Sequence, residues 1–66
     1  MNITVNNKSH IINESITIDE LIEQLKIDAK GIAIGVNLTV VPKVNWNDAK
    51  LEENDNITII KATQGG

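Results

Sequence analysis

The last four residues of the chain, Thr63 to Gly66, combine residue types that could do chemistry. The sequence ends in Gly65-Gly66. Glycine reaches backbone angles that other residues avoid, so a tail of this kind can pass through a narrow cleft. Its terminal carboxylate is ionised at neutral pH and could attack the α-phosphate of ATP in a partner enzyme, which would give an acyl adenylate. The residues alone leave a second interpretation open, a frayed chain end without chemistry of its own.

The composition limits what the rest of the chain can contribute. Its 66 residues suffice for one domain and include no cysteine, which excludes disulfides, thiolate metal sites and a thiol nucleophile. A domain of this size buries only about 60% of its unfolded surface, so little of the chain is left over to build an active-site cleft. We expect a fold held together by packing alone, in which any sulfur chemistry does not use a side-chain thiol.

The charge and hydropathy pattern argue against two classes of partner. The net charge is −3, which disfavours binding to a phosphate backbone. No apolar run approaches the roughly 18 residues of a membrane span, and no basic segment precedes an apolar one as in signal peptides. We therefore expect a cytoplasmic protein with neither nucleic acid nor membrane as its partner.

One helix carries the strongest local signals in the sequence. Thr17 and Glu20 have the spacing of a capping box, in which each side chain accepts a hydrogen bond from the other residue's backbone N–H. The apolar residues that follow recur with the period of a helix: Ile18, Leu21, Ile22 and Leu25. The sequence therefore predicts an amphipathic helix whose acidic side faces water.

Five short strands are predicted around this helix. Alternation predicts strands over residues 1–6 and 11–14 with a turn over 7–9 between them. Two more strands are predicted over residues 32–36 and 40–41, with a turn over 37–39, and a last one over 57–62. Pro42 confines the fourth strand to a sheet edge, because proline cannot donate to a ladder.

Two of these strands are predicted to share an outer face of small and apolar residues. Ala33 and Gly35 lie on one side of the third strand, and Ile60 and Ala62 lie on one side of the last. Small residues let a partner backbone come close, and an apolar patch left open by a single helix marks an interaction site. We predict that Ala33, Gly35, Ile60 and Ala62 form a partner-docking patch, with weak packing of the third strand as the alternative.

The segment over residues 43–56 is polar and irregular. Trp46 and Leu51 are its apolar anchors and are predicted to pin it to the core. Asn54 is the residue best suited to a left-handed turn before the last strand. His10 lies in or beside a turn, and we predict no role for it as a ligand or base.

The order of the elements predicts the fold class. One helix with a single apolar stripe must cover one face of one sheet. Because the first and last strands are apolar, we place them in the middle of the sheet. This gives an α+β fold of the β-grasp, or ubiquitin-like, arrangement: a mixed sheet of four to five strands with one helix packed across one face. Residues 1–62 are expected to form this domain and residues 63–66 a flexible tail. A small α+β sandwich with another strand order fits the pattern as well.

The second half of the chain also resembles a known family. The resemblance rests on residues that follow one another in matching order and spacing: Val36-Asn37, Val41-Pro42-Lys43, Trp46, Leu51, Asp55, Ile57 and Gly65-Gly66. This set resembles the ThiS family, which are sulfur carriers for the thiazole half of thiamine, and the likeness in length and element order covers the whole chain. Lys43 departs from the arginine common in the family, and Asn54 departs from the usual glycine.

The resemblance implies a carrier and co-substrate that is not an enzyme. Such a chain binds no cofactor or metal itself and has no catalytic residue. A ubiquitin-activating-like adenylyltransferase would take up the tail, Gln64, Gly65 and Gly66, and use ATP with Mg to adenylylate the Gly66 carboxylate. Sulfur from a donor such as a cysteine desulfurase system would displace AMP and leave a thiocarboxylate on Gly66. Thiazole synthase would then take that sulfur.

Three other functions stay open on the sequence. A sulfur carrier of the molybdopterin type has the same fold and tail chemistry but delivers to a different synthase. A ubiquitin-like modifier would instead form an isopeptide bond with a lysine of another protein. A plain interaction domain would not need Gly66.

Overall fold

The computed structural model describes residues 1–61 as one sheet with a single helix across it. Ala62 and the predicted tail over residues 63–66 lie outside the described residues. Within residues 1–61 no helix is long and apolar enough to cross a membrane. In chain order the elements are β1 (Asn2–Val5), β2 (Lys8–Ile11), α1 (Ile18–Leu25), β3 (Ile32–Val36), β4 (Thr39–Val41), a 3₁₀ turn (Lys43–Asn45) and β5 (Asn56–Lys61).

The sheet is mixed and its strands lie in the order β2-β1-β5-β3-β4. β1 and β5 run parallel in the middle, and the other neighbouring strands pair antiparallel. The first and last strands therefore occupy the centre, as the sequence predicts. β4, which Pro42 follows directly, forms one edge.

Both hairpins turn over two residues, which is tighter than predicted. Asn6 and Asn7 have φ angles of 50° and 69°, and Asn37 and Leu38 have φ angles of 51° and 73°. Positive φ at both central residues matches the right-handed twist of the flanking strands. The second predicted strand is present, but its predicted bounds, residues 11–14, are wrong: β2 covers Lys8–Ile11 because it begins directly after the tighter turn.

The helix begins at the predicted capping box. The Thr17 hydroxyl oxygen accepts the Glu20 N–H at 3.2 Å, and the Glu20 carboxylate accepts the Thr17 N–H at 2.8 Å. The Ile18 N–H donates to the Ala49 carbonyl at 3.0 Å, so the first N–H groups of the helix, which have no partner within it, are satisfied. Lys26 ends the helix in a left-handed conformation with φ 57°.

The core lies between α1 and one face of the sheet, and the segment after β4 closes it. Trp46 and Leu51 are each 1% exposed, which confirms both predicted anchors. The Trp46 indole Nε1–H donates to the Val41 carbonyl at 2.9 Å, so burying the ring leaves no unpaired polar atom. The other buried apolar residues are Ile3, Val5, Ile12, Ile16, Ile18, Leu21, Ile22, Ile34 and Ile57.

Candidate docking face

The side of the sheet opposite α1, called the open face below, carries part of the predicted docking patch. Ala33 pairs with Ile60, and Gly35 pairs with Thr58 on one side and with Val40 on the other. Residues directly opposite each other on paired strands point to the same side of a sheet. The next residues along β3 and β5, Ile34 and Ile59, therefore point to the helix. The structure thus brings Ala33, Gly35 and Ile60 together, while Ala62 lies outside the described residues.

A shallow apolar depression of about 190 Å³ lies on this half of the open face. Leu38 is 95% exposed, Val40 is 71% exposed and Ile60 is 62% exposed. The sequence analysis did not include Leu38 and Val40 in the patch. Neighbouring residues in a strand point to opposite faces, so Val40 could have been placed on this face once Val41 was assigned to the other. The residues lining the depression are Ala33, Ile34, Gly35, Leu38, Val40, Thr58 and Ile60.

The other half of the open face is mostly polar. Thr4 pairs with Ser9 on β2 and with Asn56 on β5, and its hydroxyl donates to the Asn56 side-chain oxygen at 3.0 Å. Ile11, which is 81% exposed opposite Asn2, is the large apolar residue on this side. The apolar surface is therefore concentrated on β3, β4 and the end of β5.

Gly35 in the depression is not required by the fold. A methyl group added there would meet the Thr39 carbonyl oxygen at 3.5 Å, an ordinary contact distance. Gly31, by contrast, has φ +71°, a conformation that residues with a side chain rarely adopt. The absence of a side chain at Gly35 therefore leaves space in the depression, although the backbone conformation there does not require glycine.

A hydrogen-bond cluster fixes the hairpin that borders the depression. The Asn37 side chain donates to the Asp55 carboxylate at 3.0 Å and accepts the Asn56 N–H at 2.9 Å. The Asn37 N–H donates to the Asn56 carbonyl at 2.8 Å. Asp55 also accepts the Glu52 N–H at 2.8 Å. Two residues of the family resemblance, Asn37 and Asp55, thus hold each other and set the position of the β3–β4 turn.

Lys43 and Trp46, two further residues of the family resemblance, contact each other within the fold. The Lys43 ammonium lies 5.9 Å from the centre of the Trp46 ring, within the range of a cation–π contact. Lysine can make this contact as arginine does, although it lacks the planar fork of the guanidinium. The departure at Lys43 therefore leaves the packing of Trp46 in place.

Residues 1–61 show no other site with the chemistry of an active centre. Among them no group of three or more His, Cys, Asp or Glu side chains could hold a metal ion, and no polar or charged residue is buried. A wider depression of about 420 Å³ on the helix surface is lined by Glu20, Glu23, Gln24 and Lys26. Its charged side chains are exposed, as predicted for the outer side of the helix. The tail residues Gln64, Gly65 and Gly66 lie outside the described residues.

The fold and this face define a class of protein. A five-stranded mixed sheet with both chain ends on its central strands and one helix across it is the β-grasp, or ubiquitin-like, arrangement. The model of the ThiS family matches residues 1–66, and the chain belongs to this family.

The comparisons with individual proteins agree with this family. The sulfur carrier protein ThiS of Escherichia coli is 32% identical over 50 residues, which are 76% of each chain. The crystal structure of the thiamine biosynthesis protein (ThiS) from Geobacter metallireducens covers all of both chains with a TM-score of 0.89 at 26% identity.

A third similar protein is much longer than this chain. The thiazole synthase of Paramagnetospirillum magneticum is 26% identical over 66 residues, which are all of this chain and 20% of that protein. The chain thus spans about a fifth of the length of that relative.

Proposed function

We propose that this chain is a sulfur carrier for thiazole formation in thiamine biosynthesis and that the C-terminal carboxyl of Gly66 carries the sulfur. The observation that carries the proposal is the match to the ThiS family over residues 1–66, which include Gly65-Gly66. The relative named a sulfur carrier protein, 32% identical over 50 residues, supports it.

The proposed chemistry has three steps. A ubiquitin-activating-like adenylyltransferase binds the chain, and a Gly66 carboxylate oxygen attacks the α-phosphorus of ATP, so that pyrophosphate leaves and an acyl adenylate forms. The terminal sulfur of a persulfide, supplied by a cysteine desulfurase system, then attacks the acyl carbon and AMP leaves. A second thiol of the donor system cleaves the resulting acyl disulfide, which leaves a thiocarboxylate on Gly66 and a disulfide on the donor. ATP and Mg belong to the partner, and the carrier, expected in the cytoplasm, is a co-substrate.

Thiazole synthase is the proposed recipient of the sulfur. The thiazole synthase relative is similar to this chain over all 66 residues, which form only 20% of its own length. A segment like this carrier and the remainder of that protein therefore belong to one polypeptide. This supports a direct encounter between carrier and thiazole synthase in proteins where the two are separate.

The length of the tail supports the proposed docking patch, Ala33, Gly35, Ile60 and Ala62. Five residues follow Lys61, and five residues reach at most about 18 Å when fully extended. A partner that holds Gly66 must therefore cover the end of β5. Ala33 and Ile60 pair beside that end, so docking there brings apolar surface out of water as the tail enters the active site.

The first experiment measures sulfur loading directly. The purified chain with its native C-terminus is incubated with ATP, a cysteine desulfurase system and the thiamine-pathway adenylyltransferase, and its intact mass is taken. We expect a gain equal to the exchange of one oxygen atom for sulfur, and no gain when Gly66 is deleted. No gain with an adenylyltransferase that is active on its own carrier would favour another carrier pathway, a protein modifier or a plain binding domain.

A matched pair of exposed isoleucines tests the docking patch. Ile60→Asp places a charge in the apolar half of the open face, and Ile11→Asp places one on its polar half. Because both side chains are largely exposed, both variants should fold. We expect sulfur loading and partner affinity to fall in Ile60→Asp and to stay near wild type in Ile11→Asp. Undiminished loading of Ile60→Asp would show that partners dock elsewhere.

A further inference from the structure

Leu38 at the tip of the β3–β4 hairpin has a conformation that does not suit its residue type. Its φ is +73°, in the left-handed region that glycine, asparagine and aspartate adopt far more readily than leucine. Its side chain is 95% exposed, so the fold gains almost no burial in return. A strained backbone with an exposed apolar side chain is a combination that points to a role outside the domain.

The rest of the hairpin holds Leu38 in this left-handed conformation with its side chain exposed. Val36 pairs with Thr39, which leaves only two residues for the turn. Asn37 is fixed by its hydrogen bonds to Asp55 and Asn56. The side chain of Leu38 is thereby kept at the border of the apolar depression, where it joins Val40 and Ile60.

The first hairpin of the same chain shows what this turn requires. Asn6 and Asn7 have φ angles of 50° and 69°, close to those of Asn37 and Leu38. Asn7 and Leu38 are thus the second residues of two matching turns that begin with asparagine. Because asparagine serves this position in one turn, turn geometry does not explain the leucine in the other.

We propose that Leu38 is a specificity-determining contact for thiazole synthase, inserted into an apolar pocket on that enzyme. The inference rests on the proposed function. The tail leaves one end of β5, and Leu38 lies near the other end, since Val36 pairs with Ile57. These two points are roughly 17 Å apart along six residues of strand, and both fit within one interface of about 800 Å² per partner.

The tail and Leu38 would be two separated contacts with the enzyme, and together they orient the carrier. If the tail alone were held, the domain could rotate about it, whereas a second contact at Leu38 prevents this rotation. Thiazole synthase is the partner that the comparisons favour, because one relative of this chain is itself named a thiazole synthase. The pocket would accept an aliphatic side chain of the size of leucine and reject an amide, which would lose its water on entry.

The test exchanges the residues of the two matching turns. The affinity of the full chain for purified thiazole synthase of the same organism is measured by calorimetry for wild type, Leu38→Asn and Asn7→Leu. We expect Leu38→Asn to raise Kd about tenfold or more, as loss of a buried leucine contact would. Its melting temperature should rise by about 4 °C, because the strained residue is relieved. Asn7→Leu should lower the melting temperature and leave Kd unchanged.

The remaining outcomes separate this inference from the function on which it rests. Loading of sulfur onto Gly66 of Leu38→Asn should match wild type. An equal loss of loading would mean that Leu38 serves the adenylyltransferase and would overturn the assignment. An unchanged Kd, or a lower melting temperature in Leu38→Asn, would likewise overturn it. If wild type does not bind the synthase, the inference fails, and the mass measurement on wild type decides the proposed function independently.

Discussion

Gly35 and Gly31 show how the same residue type serves two purposes in this chain. A methyl group at Gly35 would be in ordinary contact with the Thr39 carbonyl, whereas at Gly31 the obstacle is a φ of +71°. The first glycine therefore shapes the open face, and the second permits a turn of the backbone.

We expect Gly35→Ala to separate binding from stability. Its free energy of unfolding should stay within about 1 kcal/mol of wild type or rise, because alanine restricts the unfolded chain. Its affinity for partners should fall, since the added methyl raises the floor of the depression. Gly31→Ala is the control and should lose about 1 kcal/mol of stability without a loss of affinity. Urea unfolding and binding titrations of both variants measure these effects, and unchanged binding of Gly35→Ala would contradict the role given to Gly35.

We expect Asn37→Ala to destabilise the fold by about 1–2 kcal/mol. It removes the hydrogen bonds to Asp55 and Asn56 and places alanine at a φ of +51°. Asn47, which is also exposed, provides the control, because Asn47→Ala should change the unfolding free energy by less than about 0.5 kcal/mol. Urea denaturation followed by circular dichroism measures both; equal stability of the two variants would show that the cluster contributes nothing.

Some residues could be placed from sequence and others could not. Asn54 has φ +69°, as its residue type and its place before the last strand predict. Leu38 has a similar φ, but leucine is no turn signal. Its conformation follows from the pairing of Val36 with Thr39, which leaves two residues for the turn. The turn is also held by the contact of Asn37 with Asp55, 18 residues away in the sequence, and a local pattern contains no information about such a contact.

At the scale of elements, α1 was the most predictable because its signals are local. The capping box and the apolar stripe all lie within residues 17–25. The hairpin boundaries were less predictable, because Asn6-Asn7 is a weaker turn signal than Asn-Gly. Residues 9–12 read Ser-His-Ile-Ile, which does not alternate between polar and apolar, so the pattern does not show where β2 begins.

We expect Thr17→Ala to lower the unfolding free energy by about 1 kcal/mol, since it removes the hydroxyl that accepts the Glu20 N–H. Thr17→Ser keeps a hydroxyl in the same place and should lose much less. Thermal unfolding of both variants distinguishes the hydrogen bond from simple side-chain size. If both lost the same amount, the methyl group of Thr17 would be the important part.

At the scale of the whole molecule, a few residues favoured the correct strand order. The apolar character of β1 and β5 and the position of Pro42 favoured termini in the middle and β4 at an edge. The parallel pairing of β1 with β5 excludes the other strand order that the sequence pattern left open. The open face was only half predicted. Its small residues were found by alternation, but the division into an apolar and a polar half depends on which strands lie side by side.

We expect the domain to unfold as one cooperative unit, including the segment after β4. The Leu51 N–H donates to the Ile16 carbonyl at 2.8 Å, and Thr17 bridges to Lys50, so this segment is tied to the start of α1. Fluorescence of Trp46, the single tryptophan, and far-UV circular dichroism should therefore give the same urea midpoint. A lower midpoint by fluorescence would mean that the segment separates before the sheet and helix unfold.

The parallel pairing in the middle of the sheet has a mechanical consequence. An enzyme that pulled on Lys61 along the axis of β5 would load this strand directly. This strand is held on both sides, by β3 along most of its length and by β1 near its start. Interstrand hydrogen bonds lie across the direction of such a pull, so they must shear together, whereas an edge strand pulled sideways peels one bond at a time. We expect the body of the protein to keep its fold under a load applied through its own terminus.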